Sequence, residues 1–173
     1  ADSRAPMRPR AGKKLSQLGD RPFATAAAFG AAALVVSALV NQRMAKTAER
    51  RNPPQGRFLE IDGVRLHYVE RGKGEPLVLL HGNGSMIQDF ESSGLVAQAA
   101  EAYRVIVFDR PGYGHSQRPR GTVWSPEAQA DLIHRALVEL DATPAVVLGH
   151  SWGTLVATAL ALNHPASVKA LVL

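Results

Sequence analysis

Four short, largely apolar runs constrain this chain more than any other feature: residues 76–80 (PLVLL), 104–108 (RVIVF), 145–148 (AVVL) and 168–173 (VKALVL). Each is too short for a core helix and is of the kind that strands buried on both faces of a sheet display. Segments with helical spacing separate them, at about 86–103, 125–140 and 151–163. Strands alternating with helices need right-handed crossovers, which gives an α/β fold with a mainly parallel, doubly wound sheet. Ahead of these runs, residues 58–62 and 64–70 alternate apolar and polar around Asp62-Gly63, an N-terminal antiparallel hairpin that extends one edge of the sheet.

In open sheets of this type, ligands bind beyond the carboxyl ends of the strands. The residues that follow each apolar run therefore matter most. They are His81-Gly82-Asn83-Gly84, then Asp109-Arg110-Pro111-Gly112-Tyr113-Gly114-His115-Ser116, then Gly149-His150-Ser151-Trp152-Gly153. In the last loop a serine sits between two glycines at a strand-to-helix corner. A serine that merely capped the helix would be replaceable by Asp, Asn or Thr and would not need both glycines. A strained turn that lifts a hydroxyl above the sheet does need them, because a side chain at either position would crowd the adjoining strand and helix. The Ser151 hydroxyl would then stand at the positive end of a helix dipole.

HGNG at 81–84, DRPGYGHS at 109–116 and GHSWG at 149–153, in this order and each after a strand, resemble the first half of an α/β-hydrolase-fold enzyme. The resemblance covers residues 58–173. It implies that Ser151 is the nucleophile and that the backbone N–H groups of Asn83 and Trp152 form the oxyanion hole. His81, Gly82, Asp109, Gly112, Gly114, Gly149, His150 and Gly153 would support that site. His81 and His150 are read as packing and hydrogen-bonding groups, and Asp109, Gly112 and Gly114 as shaping a loop beside it. Related dehalogenases and epoxide hydrolases carry Asp at the nucleophile position. Ser151 therefore points to an ester, amide, thioester or carbon–carbon bond in a small-molecule or lipid substrate.

In the family, an acid and then a histidine follow the serine on later loops. The sequence ends within what looks like the sixth strand, so the fold is expected to be truncated there, with acid, base and lid beyond Leu173. The leading expectation is an esterase- or lipase-like serine hydrolase. A carbon–carbon bond hydrolase or cofactor-free perhydrolase with the same triad is one alternative. A catalytically silent fold used for binding is another. His67 alternates along an edge strand, His134 lies in a helix and His164 precedes Pro165. None has metal-ligand spacing, so neither a metal nor a cofactor is expected.

Charge is distributed unevenly. Residues 1–57 hold eleven Lys/Arg against three Asp/Glu, a balance of +8, and residues 58–173 hold nine against twelve, a balance of −3. The basic excess carries no interleaved aromatic residues and no nucleic-acid motif, so no nucleic-acid partner is expected. The chain has no cysteine, which excludes disulfides and a thiol nucleophile. Residues 23–40 (FATAAAFGAAALVVSALV) are uncharged and as a helix would span about 27 Å, close to a bilayer's hydrocarbon core. A single-pass membrane anchor is the preferred reading, against a cleaved signal peptide or a buried soluble helix. The flanking basic residues are nearly balanced, so orientation stays open, as does oligomeric state. The resulting division is a basic segment 1–22, a transmembrane helix 23–41, a linker 42–57 ending in RRNPPQGR, and the hydrolase-like domain 58–173.

Overall fold

The computed structural model describes residues 21–173, so most of the basic segment 1–22 lies outside the described residues. The chain divides between Pro53 and Pro54 into two units. Among its described residues, the first holds one long helix, α1 (Arg21–Arg51). Its alanines and leucines favour helix, and its apolar side chains, among them Phe29, Leu34 and Leu39, are exposed. The helix runs past residue 41 because residues 42–51 are themselves good helix formers. Residues 42–51 of the expected linker are therefore helical. Asn52 closes the helix by donating its N–H to the Ala48 carbonyl at 2.9 Å, and Pro53 and Pro54 cannot continue it.

The second unit is built on six strands: β1 (Arg57–Ile61), β2 (Val64–Arg71), β3 (Glu75–Leu80), β4 (Tyr103–Phe108), β5 (Ala145–Gly149) and β6 (Val168–Val172). Their order across the sheet is β1-β2-β4-β3-β5-β6. β1 and β2 form the antiparallel hairpin, turning at Asp62 (φ 51°) and Gly63 (φ 74°), the two positive-φ positions of a type I′ turn. β2 also pairs antiparallel with β4, whereas β4, β3, β5 and β6 run parallel.

The helices are α2 (Ile87–Ser92), α3 (Leu95–Ala99), α4 (Pro126–Glu139) and α5 (Gly153–Asn163). The single helix expected over 86–103 is instead two short ones, broken at Gly94, whose φ of 79° no continuing helix tolerates. α4 begins at Ser125, whose hydroxyl accepts the Ala128 N–H at 3.2 Å, with Pro126 in the first turn.

The pleat sorts the strand residues between two cores. Val78, Leu80, Ile106 and Phe108 pack with Leu132, Ile133 and Leu137 of α4 and Val156 and Leu160 of α5. Leu77, Leu79, Val105 and Val107 point the other way, onto Ile87, Phe90 and Val96 of α2 and α3. Burying each of these side chains contributes about 1.5–3 kcal/mol. The doubly wound arrangement follows from the unbroken apolar runs, since neither sheet face can be left to water.

On α4 the His134 ring stacks on His164 with centroids 3.9 Å apart. His134 Nδ1 meets the Ser167 hydroxyl at 2.8 Å and His164 Nε2 meets Asp131 Oδ1 at 2.7 Å. Burial, and then the neighbouring His164 and Arg135, lower the His134 pKa. The folded state thus disfavours the His134 proton that the unfolded chain accepts. Its contribution is fully present above the unfolded pKa of about 6.5 and is lost as pH falls through the lower folded value. Urea midpoints should therefore drop between pH 7.5 and pH 5, and His134→Gln should make that drop shallower. An identical drop in both proteins would contradict the assignment.

Candidate active site

β3, β4 and β5 end in register, with Leu80 opposite both Phe108 and Gly149. The three loops singled out in the sequence therefore open at one edge of the sheet. At the corner after β5, Ser151 has φ 53°, in the left-handed region that a non-glycine residue occupies at a cost of about 1–3 kcal/mol. Hydrogen bonds hold it there. The His150 N–H donates to the Leu80 carbonyl at 2.9 Å, and the Gly153 N–H to the His150 carbonyl at 2.9 Å. The Thr154 N–H and hydroxyl both donate to the Ser151 carbonyl, at 3.0 and 2.7 Å.

The two glycines have distinct neighbours. A Cβ on Gly149 would lie 2.7 Å from the Thr154 Cα, and one on Gly153 would run into the Leu80 carbonyl oxygen. α5 can thus begin directly against the end of β3. Gly82 is equally close on the other side, where a Cβ would come within 2.9 Å of the Ser151 Cβ and 3.3 Å of its Oγ. The Ser151 side chain is exposed. Among the described residues, the backbone N–H groups of Asn83 and Trp152 find no acceptor in the chain. An accessible hydroxyl thus stands beside a loop whose N–H is free, next to a helix start whose N–H is free.

Beneath this edge lies a buried polar layer. Asp109 accepts the Ile87 N–H at 3.1 Å on one oxygen, and the His115 N–H at 3.0 Å on the other, which also meets His67 Nδ1 at 2.7 Å. Burial alone would raise the Asp109 pKa, but the bonds from His67, His115 and Ile87 outweigh it and hold the carboxyl below its usual value. Gly114 (φ 49°) abuts this carboxylate so closely that no side chain fits. His81 is fully buried, accepting the Arg110 N–H at Nε2 (2.9 Å) and donating from Nδ1 to the Gly82 carbonyl (2.8 Å). That pattern requires the neutral ring. Burial accordingly lowers its pKa, and the Arg110 charge adds to the effect, against the opposing bond to Gly82.

A model of the alpha/beta hydrolase fold matches residues 75–173. The chain belongs to the α/β-hydrolase-fold family. It is 33% identical over 127 residues to the 2-hydroxymuconate semialdehyde hydrolase of Pseudomonas sp. (strain CF600), covering 73% of this chain and 45% of that protein. It is likewise 33% identical over 119 residues to the proline iminopeptidase of Heyndrickxia coagulans, covering 66% and 41%. Among solved structures, Est816, described as an N-acyl homoserine lactone degrading enzyme, superimposes with a TM-score of 0.61 at 32% identity, covering 66% of this chain and 43% of that one. The chain thus spans less than half the length of these α/β-hydrolase relatives.

The sequence-predicted residues Ser151, Asn83, Trp152, Gly82, Gly149 and Gly153 come together at one edge, with His81 and Asp109 in the layer below. His150 differs from expectation. Its ring is exposed and makes no hydrogen bond among the described residues, because the turn fixes the residue through its backbone. Gly112 (φ 87°) packs under the side chain of Arg118, where a Cβ would lie 2.7 Å from Cδ. His67 and Arg110 were missed. His67 sits not on an edge strand but on β2, between β1 and β4, and is 1% exposed. No local signal marks it, because the strand order that covers β2 on both sides comes from pairings remote in sequence. Arg110 had none either, since its partners are remote in sequence.

The close fit at the corner makes Gly153→Ala destabilising by about 1–3 kcal/mol, as overpacking typically is. Gly121→Ala, where the added methyl meets open space, should stay within about 0.5 kcal/mol of the parent. Denaturant unfolding of the two variants checks this, and equal midpoints would refute the packing argument.

Proposed function

We propose that the complete protein is a serine hydrolase that cleaves an ester-type bond through an acyl-enzyme on Ser151. The observation that carries the reading is the left-handed Ser151, exposed beside two N–H groups without acceptors. Attack by Oγ on a carbonyl carbon places negative charge on the carbonyl oxygen. The Asn83 and Trp152 N–H groups are free to donate to it as that charge develops. A serine hydroxyl is nearly fully protonated at neutral pH and needs a base to take its proton. No described histidine bonds the Ser151 hydroxyl, and both nitrogens of His81 are already engaged. The reading therefore needs a histidine, and an acid to orient it, from elsewhere in the complete protein. A second reading, with a semialdehyde as substrate, is favoured by the similarity to the Pseudomonas hydrolase.

In the complete protein, Ser151→Ala should lower turnover of a short-chain aryl ester by about a millionfold. A fluorophosphonate should label the parent and not the variant. Equal labelling would place the nucleophile elsewhere. An unlabelled parent that binds a ligand without turnover would favour the silent, binding reading.

The same proposal makes α1 a membrane anchor. Residues Phe23–Ala48 form a helix long and apolar enough to cross a bilayer, with Arg50 and Arg51 at its end. The intact protein should stay with membranes through high-salt and alkaline washing, and deleting residues 1–53 should release it. Release by salt alone would show that the basic residues, not the apolar helix, make the attachment.

A further inference from the structure

Arg110 is 1% exposed, yet its guanidinium meets only neutral groups. Nε donates to the His81 carbonyl at 2.7 Å. Nη2 donates to the Gly82 carbonyl at 2.9 Å and to Asn83 Oδ1 at 3.1 Å, and Nη1 to Gln129 Oε1 at 3.1 Å. Three consecutive residues of the loop after β3 are thus tied to one side chain. The guanidinium carbon also lies 4.6 Å from the centre of the Trp152 ring and 4.7 Å from that of Tyr113. The Tyr113 hydroxyl donates to Asn83 Oδ1 at 2.8 Å, closing the arrangement.

A buried cation without a carboxylate partner is expensive, and a neutral side chain would hold the loop at lower cost. The position of the charge suggests what it is for. Arg110 contacts two residues with free backbone N–H groups beside Ser151, Asn83 through its side chain and Trp152 through its ring. In that water-poor layer a positive charge acts over a longer range than it would in solvent.

We infer that Arg110 is a positioning residue of the oxyanion hole, fixing the Asn83 and Trp152 donors relative to each other and favouring negative charge between them. This rests on the serine-hydrolase reading. Arg110 itself neither touches the reacting atoms nor transfers a proton. Loss of the fork loosens the loop, and loss of the charge weakens stabilisation of the oxyanion. Ground-state substrate, which carries no such charge, is bound nearly as before.

The test uses the complete protein with Arg110→Gln and Arg110→Lys. The readouts are kcat and KM on a short-chain aryl ester, the inhibition constant of a trifluoromethyl ketone, and the thermal midpoint. Arg110→Gln should lower kcat about a hundredfold while KM changes by less than about threefold. Ketone binding should weaken in proportion to kcat/KM, because the ketone's serine adduct carries the same oxyanion. Arg110→Lys should recover part of the loss, since it restores the charge without the planar fork. If Arg110→Gln does not fold, Arg110→Lys alone decides, by a fall in kcat matched by ketone affinity at unchanged KM. Unchanged kcat and ketone affinity, or a fall in thermal midpoint and a rise in KM without loss of ketone affinity, would overturn the inference. Fluorophosphonate labelling separates the two claims. A parent unlabelled at Ser151 overturns the serine reading and this inference with it, whereas equal labelling rates in parent and variants overturn the Arg110 role alone.

Discussion

The Leu80 carbonyl at the end of β3 accepts the His150 N–H at 2.9 Å and occupies the space a Gly153 side chain would need. Through that one contact the strand before the first loop and the helix after the last are locked together. It forces the chain at 149–153 to turn within a few residues, and Ser151 takes the left-handed conformation as a result. Gly82 then falls against the Ser151 side chain from the opposite direction. A larger residue at Gly153 would push α5 off the end of β3, one at Gly149 would push it off the end of β5, and one at Gly82 would crowd Ser151. Ser151 would then lie among loops that no longer converge.

The layer under this edge handles charge by separation. Asp109 and Arg110 are adjacent in sequence and both fully buried, but they do not pair with each other. Asp109 takes two backbone N–H groups and His67, and Arg110 takes carbonyl and amide oxygens. The negative charge is consumed in fixing the turn between β4 and α4 and the start of α2. The positive charge is left without a counterion beside Asn83 and Trp152. His81, kept neutral between Arg110 and Gly82, adds no competing charge.

The fold was legible because its signals are local. Unbroken apolar runs mark strands covered on both faces, Asp62-Gly63 marks a hairpin, and Gly-His-Ser-Trp-Gly after an apolar run marks a strained corner. The failures have equally definite causes. The helical spacing over 86–103 gave no warning that Gly94 would adopt a positive φ and split the segment. Pro53 and Pro54 mark where a helix must stop, but nothing local shows that residues 42–51 continue α1 up to them. Pairing order cannot be read from one strand, so nothing local to His67 shows that β4 covers β2 on the side away from β1.

The sequence by itself determined the α/β architecture, the three loops, the residue types at the corner and the long apolar helix, all of which depend on periodicity and on backbone preferences within a few residues. Only the tertiary structure decided which side chains lie beneath the corner and what they hold. Arg110 reaches Gln129 from one direction and His81, Gly82 and Asn83 from another, and His67 reaches Asp109 across 42 residues. A buried ionisable group takes whatever donors or acceptors the packed fold brings within about 3 Å of it, and strand order, not neighbouring sequence, sets that company.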